Sequence, residues 1–82
     1  MLKIKIKKMA DVKTPSYAHK GDSGMDLYAA EDYLLKPMER KLVSTGIKLA
    51  IPEGFEAQVR PKSGLAIEHG ISHANCVGTI DS

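Results

Sequence analysis

The sequence predicts an all-β domain of the sandwich, barrel or jelly-roll kind, and three observations point there. Short alternating runs recur at roughly 8–12-residue spacing. Turn signals such as Lys36-Pro37-Met38-Glu39 and Pro52-Glu53-Gly54 separate them. No stretch keeps a helical period for more than about two turns. The 82 residues give room for one small domain, taken as 1–82, with a marginal core.

Composition narrows the class further. With 43% hydrophobic and 27% charged residues the chain is globular and not disordered. A net charge of +2 does not call for nucleic acid as a partner. The single cysteine, Cys76, excludes an internal disulfide and suits a reducing cytoplasm. No apolar run is long enough for a signal peptide or a membrane span.

Each element has its own signal. Leu2, Ile4 and Ile6 alternate with Lys3, Lys5 and Lys7, so Leu2–Lys8 is expected to be a half-buried strand with a solvated lysine face. Residues 9–23 carry Pro15, Gly21 and Asp22 without periodicity and form a long loop. Met25–Ala29 is expected as a short strand, with Asp26 among apolar neighbours. Tyr33-Leu34-Leu35 is a further short strand. Arg40 to Ile51 is strand material interrupted at Ser44-Thr45-Gly46, with Lys48–Ile51 its firmest part. Phe55–Arg60 alternates and stops at Pro61, which has no N–H for a ladder. Ser63–Glu68 has room for one helical turn before Gly70. The tail from Ile71 to Ser82 is β-like, broken at Gly78.

The chemistry concentrates at Arg60-Pro61-Lys62-Ser63-Gly64-Leu65-Ala66. Two cations, a hydroxyl and a glycine lie within five residues. Such a turn can aim N–H groups and positive charge at an anion, with glycine allowing close approach. Lys62 would act as a point charge and Ser63 as a donor. An ordinary polar turn after a strand gives the same string. His69 and His73 are four apart, a metal-binding spacing on a helix, but the sequence between them is β-like and no further ligands complete a set. Cys76 lacks a basic partner in sequence and fits a small buried hydrophobe better than a nucleophile.

Three segments together carry a family resemblance. They are Gly24-Met25-Asp26-Leu27 with Ala29; Pro61-Lys62-Ser63-Gly64-Leu65-Ala66 with His69-Gly70-Ile71; and Asn75 followed by Gly78-Thr79-Ile80-Asp81-Ser82. In order and separation they resemble the first, second and opening part of the third motif of the trimeric dUTP diphosphatase (dUTPase) family. The resemblance covers nearly the whole chain. It implies a β-clip or distorted jelly-roll subunit, a homotrimer with shared active sites, and Mg²⁺-dependent hydrolysis of dUTP to dUMP and pyrophosphate. It implies neither a membrane nor a nucleic-acid partner.

By position, the resemblance assigns roles. Asp26 would support the metal through its waters. Lys62, Ser63 and the Gly64 backbone would face the phosphate chain. Asn75 and the backbone at Gly78 would face the uracil edge. Asp81 would orient and deprotonate the water that attacks the α-phosphorus. These types suit the task. In-line substitution at phosphorus needs neutralised charge. A carboxylate within about 2.6–3.2 Å of a water can take its proton. Mg²⁺ keeps waters and needs few protein carboxylates.

Two departures accompany it. Lys62 stands where the second motif usually has arginine, which keeps charge but loses the two-pronged fork, and Arg60 is positioned to compensate. The family's third motif continues past Ser82, and its fourth and fifth motifs follow. The chain is therefore expected to be the amino-terminal part of such a subunit, a fold incomplete at its carboxyl end. Two alternatives stay open: a non-catalytic dUTPase-like nucleotide-binding or assembly module, and a dCTP deaminase relative of the same fold.

Overall fold

A computed structural model describes residues 2–82. Its regular elements are β1 (Lys5–Lys8), β2 (Ile47–Ala50), β3 (Ala57–Val59), α1 (Ser63–His69) and β4 (Gly78–Ile80). The strands form two two-stranded sheets, β1 with β2 and β3 with β4. The class is β-rich with one two-turn helix, as the turn spacing predicts. No described residue is fully buried, and apolar side chains such as Leu2, Phe55 and Ile80 stay exposed.

The chain divides into two compact units. One is Ile6–Leu49; the other gathers Ala50–Ser82 with the chain start up to Lys5.

In Ile6–Leu49 the β1–β2 pair is short, and single hydrogen bonds extend it or tie together segments distant in sequence. The Met9 N–H donates to the Gly46 carbonyl at 2.8 Å, and the Ala30 N–H to the Ser44 carbonyl at 2.7 Å. The Asp26 N–H donates to the Ser16 carbonyl at 2.9 Å, forming an isolated antiparallel bridge. Tyr33 ties the same region together. Its hydroxyl accepts from the Ser44 N–H at 3.2 Å, and Lys41 Nζ lies 5.8 Å from its ring centre. Gly46 has φ +68°, and a Cβ there would lie 2.7 Å from Val12 Cγ1. Only glycine tolerates both the left-handed backbone and that approach.

Several strand expectations shrink. The first strand is Lys5–Lys8, not Leu2–Lys8, and all four of its residues are exposed. It pairs with β2, which is equally short. Met25–Ala29 and Tyr33–Leu35 are not strands. Asp26, Tyr28 and Ala30 do alternate as half-buried positions, so the period of two is present. An extended segment becomes a strand only with a partner in register, and there the pairing is one bridge.

In the second unit, β3 and β4 run antiparallel with Ala57 opposite Ile80, Gln58 opposite Thr79 and Val59 opposite Gly78. Ala57 and Val59 are half-buried and Gln58 is exposed, the alternation read from the sequence. The Pro52 carbonyl accepts from the Phe55 N–H at 3.1 Å, and Gly54 has φ +86°. A positive φ at the third position of a turn is what glycine supplies there. Gly78 begins β4 and does not break it; with no side chain it sits directly against Val59.

Candidate functional site

β3 delivers the backbone to the cationic turn. Arg60 precedes a proline, which biases it to extended backbone, and Pro61 is itself fixed near the same region. Lys62 is still extended, with φ −78° and ψ 124°. Exposure alternates through the segment: Ala57, Val59 and Pro61 are half-buried, while Gln58, Arg60 and Lys62 are exposed. The three polar side chains therefore share the outward face.

At Ser63 the chain turns into α1, one residue longer than the sequence suggests. The Lys62 carbonyl accepts the first bond of that turn, from the Ala66 N–H at 3.0 Å. The N–H groups of Ser63, Gly64 and Leu65 precede any intrahelical acceptor. Nothing lies within 4 Å of the point where a Cβ on Gly64 would sit. The Gly64 backbone is thus approachable from outside, and no packing within the chain requires glycine there.

Gly70, at φ +66°, stops the helix, donating its N–H to the Ala66 carbonyl at 3.0 Å. The Ile71 N–H closes back on the Leu65 carbonyl at 3.2 Å. This left-handed ending fixes where the chain leaves α1. It also separates the two histidines: His69 closes the helix and His73 lies beyond its end. Among the described residues, no three His, Cys, Asp or Glu side chains are grouped to hold a metal ion.

The loop that follows presents Asn75. Its Nδ2 comes within 3.5 Å of where a Cβ on Gly78 would lie. Asn75 and Gly78, implied as one subsite, are therefore neighbours in space. Between them Cys76 sits at φ +61° and is exposed. Burial was the expectation for Cys76. Cys76 closes a tight turn, its N–H bonded to the His73 carbonyl at 3.2 Å, on a loop that leaves it exposed.

The register separates the remaining assignment. Val59 opposite Gly78 puts the Asn75–Gly78 subsite at the end of the ladder from which β3 leads to Lys62. Asp81 follows Ile80, whose partner is Ala57, and so lies at the other end. At about 3.4 Å per residue, three positions from Gly78 to Asp81 are about 10 Å. Within one chain, Asn75 and Gly78 come together, while Asp81 leads away from Lys62, Ser63 and Gly64. Asp26 belongs to the other unit, half-buried at its bridge to Ser16.

One polar row was missed in the sequence. Arg60 donates from Nε at 3.2 Å and from Nη2 at 2.7 Å to the Gln58 Oε1. Gln58 Nε2 in turn donates to Glu56 Oε2 at 3.2 Å. The signal was available: three polar residues at a period of two on one strand face.

Comparison with known proteins gives these residues a family. The dUTPase family model matches residues 10–82. The deoxyuridine 5'-triphosphate nucleotidohydrolase of Finegoldia magna is 54% identical over 83 residues, covering 99% of this chain and 58% of that protein. The protein of the same name from Clostridium kluyveri is 60% identical over 67 residues, 82% of this chain and 47% of its own. The chain thus spans about half the length of the curated relatives it matches. Match and identity both run through the cationic turn and the Asn75–Asp81 segment, and the chain belongs to the dUTPase family.

Proposed function

We propose that this chain serves in the hydrolysis of dUTP to dUMP and pyrophosphate, as part of a single dUTPase-like domain acting in the cytoplasm. The observation that carries the reading is the family match over residues 10–82, which includes every residue assigned a role. The relatives are named for the same substrate.

Lys62 and Ser63 receive the phosphate chain, the first by charge and the second by hydroxyl donation. The bare Gly64 backbone lets a phosphate oxygen approach. Asn75 and the backbone at Gly78 hold the uracil edge, and a base with a different donor and acceptor pattern leaves them unpaired. Asp81 holds the attacking water and accepts its proton. The register keeps Asp81 away from its own chain's cationic turn, which fits a site completed between subunits of a homotrimer. Asp26 suits Mg²⁺ held through waters: a half-buried carboxylate can act through the ion's waters while substrate phosphates supply its other ligands. Bound there, the ion would neutralise phosphate charge.

The test joins this chain to the remaining length of the Finegoldia magna relative. Pyrophosphate release from dUTP with Mg²⁺ is the expected result. Ammonia from dCTP without pyrophosphate would overturn it in favour of a deaminase, and nucleotide binding without either product in favour of a binding module. The 82-residue chain alone is expected to be far slower, because Asp81 is next to last and a catalytic group must be held to about 0.5 Å.

A further inference from the structure

We infer that Arg60 is a second phosphate-binding cation, parked in the absence of a ligand on Gln58, which competes with the phosphate for it. The inference rests on the reading of Lys62–Gly64 as the phosphate-binding turn. The geometry carries it further. Arg60 turns two of its N–H groups onto one oxygen, Gln58 Oε1, at 3.2 and 2.7 Å. The same two donors can grip two oxygens of a carboxylate or phosphate as a fork; here they converge on one neutral amide oxygen. Gln58 is held in turn by Glu56, so the acceptor is presented to Arg60 and not left to rotate.

A phosphate is the better acceptor. The Arg60–Gln58 bond is already charge-assisted on the donor side, and a phosphate oxygen adds the attraction of its own negative charge, which the neutral amide lacks. Arg60 and Lys62 occupy alternate positions on one outward face, two residues apart along extended backbone. That spacing is about 6.6 Å between Cα atoms, within the span of an arginine side chain. Exchanging Gln58 for a phosphate oxygen therefore needs only a side-chain rotation. Parking has a consequence for selectivity: the cation is released only to a ligand that outcompetes the amide, which favours multiply charged phosphate chains over single ones. The row also supplies a fork to a turn whose own cation is the point charge of Lys62.

The experiment is a titration of the 82-residue chain, followed by NMR at the arginine Nε–H and glutamine side-chain amides. The probes are inorganic tripolyphosphate, dUTP and deoxyuridine, at concentrations up to millimolar. Tripolyphosphate and dUTP are expected to shift the signals of both Arg60 and Gln58, and deoxyuridine to leave both in place. Arg60→Gln should weaken tripolyphosphate and dUTP binding about tenfold or more, with deoxyuridine unchanged. Arg60→Lys should fall between, keeping charge without the fork. Gln58→Leu removes the competing acceptor and should tighten binding by about two- to fivefold. Both side chains are exposed, so the fold is not at stake. Equal affinity in Arg60→Gln and the parent would overturn the inference while leaving the dUTPase reading intact. So would a Gln58→Leu loss as large as that of Arg60→Gln. A parent that binds neither tripolyphosphate nor dUTP overturns the inference, while pyrophosphate release by the joined protein would keep the dUTPase reading.

Discussion

The two units solve the same problem differently. In Ala50–Ser82 the backbone is organised by local devices: a three-pair ladder, a proline stop, a two-turn helix and a left-handed glycine ending. In Ile6–Leu49 the Met9-to-Gly46 bond extends the short β1–β2 pair, and beyond it fixing is by lone hydrogen bonds between residues far apart in sequence, such as Ala30 to Ser44 and Asp26 to Ser16. All but one of the assigned site residues, Asp26 being the exception, lie in the first kind of unit. Local devices hold a short turn in shape with few contacts elsewhere. Lone cross-links depend on every neighbour, and a single methyl in the wrong place can undo them.

The largest effect is expected at the chemistry. In the chain joined to the remaining length of its Finegoldia relative, Asp81→Asn keeps shape and hydrogen bonding but cannot take a proton. Turnover of dUTP should fall by about 10²–10⁴-fold, with nucleotide binding retained. Asp81 as a mere turn residue predicts turnover near the parent's, and that result would remove it from the mechanism.

Next comes Gly46, the tightest point of the unit built on lone cross-links. Gly46→Ala adds a Cβ at 2.7 Å from Val12 Cγ1 on a backbone at φ +68°. Left-handed backbone in a non-glycine residue costs about 1–3 kcal/mol and overpacking about 1–3 more. The loss should appear as a lower urea midpoint and faster amide exchange at Met9, whose partner is the Gly46 carbonyl. Adding Val12→Ala should restore the steric part and leave the backbone part. An unchanged midpoint in the single variant would mean the Val12 contact is not kept in solution.

A smaller effect belongs to Tyr33. Tyr33→Phe keeps the ring beneath Lys41 but deprives the Ser44 N–H of its acceptor. The expected loss is about 0.5–1.5 kcal/mol, read as faster exchange at Ser44 while β3 and β4 are unaffected. Equal acceleration at Gln58 or Thr79 would show that the two units do not open independently.

The same contrast explains what the sequence made legible. The middle of the expected Phe55–Arg60 strand was readable because alternation from Phe55 meets Pro61, both local signals, but only Ala57–Val59 is strand, the length that its three-residue partner β4 can pair. α1 was readable because Ser63 opens it and Gly70 closes it. Met25–Ala29 has the right period but not the pairing, and pairing depends on where residues 9–23 run, which no local pattern encodes. The motifs gave the identities of Lys62, Asn75 and Asp81. They could not give the register that sends Asp81 to the far end of the ladder, because register is a relation between two segments. Cys76 was misread because apolar character suggests burial, whereas the residue that closes an exposed turn at φ +61° finds none.

The smallest effect has the most informative sign. The turn Lys36-Pro37-Met38-Glu39 closes with the Glu39 N–H on the Lys36 carbonyl at 3.0 Å. Proline at its second position is favourable, and the third position has φ +64°, where glycine is preferred and methionine stands. The Met38 side chain is 101% exposed, so it loses nothing when removed. Left-handed backbone costs a non-glycine residue about 1–2 kcal/mol. Glycine regains that but gives back about 0.4–1 kcal/mol through the freer unfolded chain. Met38→Gly should therefore stabilise by a few tenths to about 1 kcal/mol. Met38→Ala, which keeps the backbone strain, should be neutral. Urea midpoints of the three proteins decide it. A loss in both variants would mean that the Met38 side chain is packed in solution against a surface not seen here, and the strained turn would then be serving that contact.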